Sequence, residues 1–130
     1  MFQGFLNFAG YFTSAIALAF AFQFAYTSLT PHREVDLIKQ NNVGAAISYI
    51  GALIGFILPV ASTIAHSADL LDFLVWAAIA GSIQMATFLA FRWFYRDITV
   101  RIEAGEIAVP LKLAGISVGI GILNAACLTY

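Results

Sequence analysis

The chain has 130 residues, the size of one compact domain, yet 62% are hydrophobic and only 10% charged, whereas soluble domains carry about 25% charged residues. A formal net charge of −1 leaves no basic face for nucleic acid. The lone Cys127 excludes an internal disulfide framework and a cysteine-cluster metal site.

Four apolar runs are long enough to cross a bilayer, which takes about 20 residues at about 1.5 Å rise each. The first covers about 5–29, and no formal charge precedes Arg33. It lacks the basic leader and A-x-A site of a cleaved signal and ends in SLTPHRE, so it is expected to be retained. Gln23 lies in its inner half. Thr30-Pro31 then offers a capping hydroxyl followed by a residue suited to the first helical position. The stretch HREVDLIKQ sets Val35 and Ile38 on one side and charges elsewhere, the pattern of a short helix lying in the membrane surface. His32 has no second histidine or cysteine nearby to share a metal.

The second run, about 43–65, contains the step Gly51-x-x-x-Gly55 and then Pro59. Proline removes the donor for the carbonyl of Gly55 and is expected to bend the helix, either shaping the bundle or acting as a hinge. Ser62 and Thr63 lie toward its outer end. In the outer turn, His66, Asp69 and Asp72 make a loose cation set without a fourth ligand. Capping of the third run by Asp69, with Asp72 complementing the positive helix end, is the expected role.

The third run, about 70–91, carries Gln84 nearest mid-membrane and Thr87 on the inner side. Trp93, Phe94 and Tyr95 follow between Arg92 and Arg96, where an interfacial aromatic belt belongs. RDITVRIEAGE places Ile98 and Ile102 four apart among charges and suggests a second surface helix. The fourth run, about 107–129, has Lys112 near its start, expected to snorkel to the headgroups, with a buried functional cation as the rival reading. A second step, Gly115-x-x-x-Gly119, sits within it, with Asn124 and Cys127 toward the outer end.

Arg33 and Lys39 lie in the first long loop; Arg92, Arg96 and Arg101 lie in the second, with Lys112 just beyond. The leader, the outer turn and the C-terminal end contain no Lys or Arg. Both termini are therefore expected on the outer side and both long loops in the cytoplasm.

Shifting the chain by 64 residues lays Gly51 and Gly55 on Gly115 and Gly119, Ile38 on Ile102, Phe24 on Phe88 and Ala61 on Ala125. Duplication is expected over chance apolar similarity, with repeat 1 at about 5–65 and repeat 2 at about 69–129. Two spans per repeat set the pseudo-symmetry axis along the membrane normal. Glycines four apart let another backbone approach, so spans two and four are expected to form the close-packed centre.

The run TPHREVDLIKQNN, then AAISYIGALIGFILPVAS, and NAAC near the end resemble the YjfL family of small bacterial inner-membrane proteins over nearly the whole chain. The resemblance implies a four-helix plasma-membrane protein built from paired two-helix units, a domain of unknown function. It also implies a gene neighbourhood containing phage-shock-type membrane-stress proteins. RIEAGE departs from the LIK-x-N-N pattern of the first loop, so the two loops need not bind equivalently.

The expected fold is all-α: an integral membrane four-helix bundle of two parallel two-helix repeats, with short interfacial helices in the cytoplasmic loops. The expected function is that of a non-enzymatic, homo-oligomeric inner-membrane component acting in envelope maintenance or membrane stress. Its docking residues for anionic lipids or a peripheral membrane-stress protein would be Arg33, Lys39, Arg92, Arg96 and Arg101, although topology alone also accounts for these charges. The rival is a small oligomeric channel or permease lined by Gln84, Ser62, Thr63, Asn124 and Gln23, whose structural counterpart is hydrogen bonding between helices. No Asp, Glu, Arg or His lies deep in a span, which argues against a proton pump. There is no G-x-S-x-G elbow, P-loop or dinucleotide fingerprint, Cys127 reads as packing, and no cofactor or metal is expected.

Overall fold

The computed structural model describes residues 1–29 and 34–128. These form α1 (Phe2–Leu29), α2 (Glu34–Lys39), α3 (Val43–His66), α4 (Leu70–Phe94), α5 (Ile98–Glu103) and α6 (Ala108–Cys127), with no strand among them. The helices α1, α3, α4 and α6 are each long and apolar enough to cross a membrane; the 24 residues of α3 rise about 36 Å. Long, short, long is the order of elements in each half. The protein is an all-α membrane helix bundle, and the two short helices fall where the loop patterns predict them. The proposed cap and first-turn proline, Thr30 and Pro31, lie outside the described residues, as does His32.

Both short helices end the same way. Asn41 has φ 66° and Gly105 has φ 85°, the left-handed conformation that glycine, and next asparagine, enters at least cost. After α2, the N–H of Asn42 donates to Leu37 O at 2.9 Å and that of Asn41 to Ile38 O at 2.9 Å. After α5, Glu106 donates to Arg101 O at 3.0 Å and Gly105 to Ile102 O at 3.0 Å. Each is a Schellman stop. LIKQNN and RIEAGE thus differ in letters but share a backbone requirement, satisfied once by Asn41 and once by Gly105.

Two caps start the helices that follow. Asn42 Oδ1 accepts from the N–H of Ala45 at 2.9 Å, and its Nδ2 donates to Ile102 O at 2.8 Å. A single side chain thus begins α3 and ties it to the end of α5, so both long loops lie on one side of the bundle. At the other end, Asp69 Oδ1 accepts from the N–H of Asp72 at 2.8 Å, while Asp72 Oδ2 accepts from that of Ala68 at 3.0 Å. This reciprocal arrangement is close to a capping box, and it engages both carboxylates with backbone.

The closest helix contact is that of the parallel pair α3 and α6, while the buried apolar cluster lies mainly between α1, α3, α4 and α5. A Cβ added at Gly51 would lie 2.5 Å from Ala114 Cβ, and one at Gly55 would lie 2.5 Å from Ser117 O. One at Gly121 would run into the carbonyl of Gly55. One at Gly44 would come equally close to Glu106 O at the loop end. Absent side chains let the two backbones meet, as lipid requires of helices that no water drives together.

The α6 half of the glycine expectation is corrected. A Cβ at Gly115 or Gly119 would meet nothing within 4 Å. The buried seam of α6 is Pro110, Ala114, Ser117, Gly121 and Asn124, alternately four and three apart, which keeps one stripe facing a partner. Gly115 and Gly119 lie off that seam. Pro59 is buried within α3, and the carbonyl it deprives of a donor is the one that abuts Gly121. A backbone contact, in place of a helical N–H, covers that oxygen.

Aromatic contacts attach α1 to α3 and α4. Phe22 stacks on Phe56 of α3 at 4.4 Å between centroids, Tyr26 meets Phe88 of α4 edge-on at 5.1 Å, and Tyr11 meets Phe73 at 5.6 Å. The opposite face, including Phe5, Phe8, Phe12, Phe20 and Phe24, is exposed.

Candidate functional site

Polar groups survive in three places in so apolar a chain: within the spans, at the outer turn and on the loop side. Within the spans, most are engaged by carbonyls. Ser62 Oγ donates to Ala125 O across the α3–α6 contact at 2.8 Å, and Thr63 Oγ1 to Pro59 O within α3 at 2.8 Å. Asn124 Nδ2 reaches Ala80 O on α4 at 3.4 Å, a long bond. Thr87 Oγ1 donates to Ile83 O at 2.9 Å.

The two glutamines differ. Gln23 is 8% exposed and Gln84 4%, and neither side-chain atom of either amide has a hydrogen-bond partner among the described residues. Gln84 Oε1 faces α3, 2.9 Å from where a Cβ on Gly55 would stand. Each buried unpartnered group costs about 1–3 kcal/mol. Gly55 therefore accommodates both the α6 backbone and the Gln84 amide.

At the outer end, His66 Nδ1 lies 2.8 Å from Ser62 O, and Cys127 is exposed. No group of three His, Cys, Asp or Glu among the described residues is placed to hold a metal ion.

On the loop side, Lys39, Arg92 and Arg96 are exposed. The Arg96 guanidinium stands 5.1 Å from the centroid of the Trp93 ring, a cation–π contact. Arg101 is turned to its own loop: Nε donates to Asp97 Oδ2 at 2.7 Å and Nη1 to Glu106 Oε1 at 3.2 Å. The hydrogen bond and charge of Asp97, then the charge of Glu106, raise its pKa above the ordinary arginine value. Of the five docking candidates, three point outward, Arg101 is paired with acids, and Arg33 lies outside the described residues.

Lys112 is exposed, not a buried cation. Its Nζ donates to Tyr95 Oη at 2.7 Å and lies 5.0 Å from the centroid of that ring. Tyr95 in turn stacks on Phe91 at 4.6 Å. Sequence reasoning did not foresee this pair, because Lys112 and Tyr95 are brought together only by the packing of α4 on α6. Asn42 was also missed, although an asparagine just before an apolar run is a helix-start signal.

Comparison with known proteins accords with this architecture. The family described as Domain of Unknown Function (DUF350) matches residues 1–128. The chain is 32% identical over 125 residues to the UPF0719 inner membrane protein YjfL of Escherichia coli strain K12, covering 96% of this chain and 95% of that protein. The same values hold for the protein of that name from Escherichia coli O157:H7. No solved structure matches the chain.

Proposed function

The chain belongs to the DUF350 family, and from that premise we propose that it is a non-enzymatic, oligomeric component of the bacterial envelope that serves membrane-stress response by docking a peripheral protein. It is a multi-pass inner-membrane protein, and in this reading both termini face the periplasm and both long loops the cytoplasm. The observation that carries the proposal is the exposure of Lys39, Arg92 and Arg96 at the end of the bundle where the Asn42–Ile102 hydrogen bond joins the two long loops. Short loops bearing Lys and Arg are retained in the cytoplasm, and the exposed cations among them attract acidic groups. The engagement of Ser62, Thr63 and Asn124 by carbonyls supports a packed scaffold over a lined path.

The test is binding of a phage-shock-type peripheral membrane protein to the purified chain before and after neutralising Arg33, Lys39, Arg92, Arg96 and Arg101 to Gln. Loss of binding is expected; undiminished binding refutes docking through these residues. A second reading, a conducting oligomer, is favoured by the unpartnered amides of Gln84 and Gln23. Solute flux in liposomes that disappears in Gln84→Leu would select it.

A further inference from the structure

The geometry points to the groove between α4 and α6 as a binding site for an anionic phospholipid, with Lys112 and Tyr95 taking the phosphate and the groove an acyl chain. The proposal does not depend on peripheral docking: none of Lys39, Arg92, Arg96 or Arg101 lines this groove.

The head of the site is built from two side chains. Lys112 makes no ion pair among the described residues, and one of its three N–H donors is taken by Tyr95 Oη at 2.7 Å. Two donors and the full positive charge are left outward. Tyr95 accepts that bond, so its own O–H is also available. Three donors and one charge thus converge at one point, which suits the oxygens of a phosphate monoanion. The arrangement is preorganised, because the Tyr95 ring is stacked on Phe91 at 4.6 Å and the ammonium is seated 5.0 Å from the ring centroid.

The tail of the site runs away from the loops. The groove holds about 690 Å³ and is walled by Thr87, Ala90, Phe94, Ile116 and Ile120, a volume within the usual range for small-molecule sites. The Thr87 hydroxyl is bonded to Ile83 O, which leaves an apolar wall. From Lys112 to Ile120 the helix rises about 12 Å, so the slot extends from the headgroup level toward the bilayer middle. A soluble phosphate would use the head and gain nothing from the slot. A zwitterionic headgroup would bring a second cation toward Lys112. A lipid with one negative charge and no ammonium, such as phosphatidylglycerol, satisfies both halves.

Native mass spectrometry of the full chain in detergent, titrated with dioleoyl phosphatidylglycerol, dioleoyl phosphatidylcholine or glycerol 1-phosphate, tests this. The wild type should retain phosphatidylglycerol in preference to phosphatidylcholine and should not bind glycerol 1-phosphate. Lys112→Gln should lose about fivefold in phosphatidylglycerol affinity and with it the preference, as expected for one basic group at an anionic surface. Lys112→Arg should restore both, and Ile116→Trp, which fills the slot, should lower retention while leaving the charge in place. Circular dichroism confirms that each variant is folded. Equal retention of the two lipids by the wild type, undiminished phosphatidylglycerol binding by folded Lys112→Gln, or glycerol 1-phosphate binding as tight as the lipid would each overturn the proposal.

Discussion

Gly51→Ala and Gly115→Ala add the same single carbon to matching G-x-x-x-G steps, and the structure predicts opposite results. At Gly51 the new Cβ would stand 2.5 Å from Ala114 Cβ and 2.6 Å from Ala114 Cα. Carbon atoms rest at about 3.5–4.0 Å, so α3 and α6 must part by about 1 Å. A gap of that size forfeits roughly a quarter to a half of each dispersion contact along the seam, and overpacking of this kind costs about 1–3 kcal/mol. The same parting stretches the Ser62–Ala125 bond from 2.8 Å past hydrogen-bonding range, for roughly 0.6 kcal/mol more. The expected loss is therefore about 2–4 kcal/mol. At Gly115 nothing lies within 4 Å of the new atom, and alanine's helix propensity makes the change neutral or favourable by up to about 1 kcal/mol. Reversible unfolding in mixed micelles, titrated with dodecyl sulfate and followed by circular dichroism, measures both. If Gly115→Ala destabilises the fold as much as Gly51→Ala, or Gly51→Ala is neutral, the assignment of the helix seam is wrong.

Asn42→Ala removes the α3 cap and the tie to Ile102, and should cost about 1–2 kcal/mol in the same unfolding assay while increasing hydrogen exchange at Ala45. Gln84→Leu replaces an unpartnered buried amide with an apolar group of similar shape and should stabilise the fold by roughly 1–3 kcal/mol. Phe22→Ala deletes the stacks on Phe56 and Tyr26, at about 0.5–1.5 kcal/mol each. It should loosen α1 first, read as faster proteolysis or labelling along α1 with α3–α6 unchanged.

The spans and the positions of the short helices were legible because each rests on a one-dimensional signal, length of apolar run or apolar spacing between charges. The expected surface placement of α5 is corrected, since Ile98 and Ile102 are buried in the core cluster and not laid on the membrane. Asp69 was legible for a similar reason, since a carboxylate before an apolar run has an obvious backbone partner. The contact face of α6 was not. A G-x-x-x-G step marks a face without saying what meets it, and Gly121, seven residues after Ala114, forms no such pair with another seam residue. The stops after α2 and α5 were hidden by unlike letters, because Asn41 and Gly105 share a backbone angle and not a side chain. The attachment of α1 by aromatic rings, and the meeting of Lys112 with Tyr95, depend on how the helices pack, which no local pattern encodes.

A four-span bundle with both long loops at one rim must show those loops on the same side of the membrane. With Cys127 changed to serine, single cysteines at positions 39, 68 and 101 are labelled on intact cells with a membrane-impermeant thiol reagent, and again after permeabilisation. Immediate labelling is expected at 68, and labelling at 39 and 101 only after permeabilisation. Labelling at 39 and not at 101 in intact cells, or the reverse, would place the two loops on opposite sides and contradict a bundle of four spans joined at one rim.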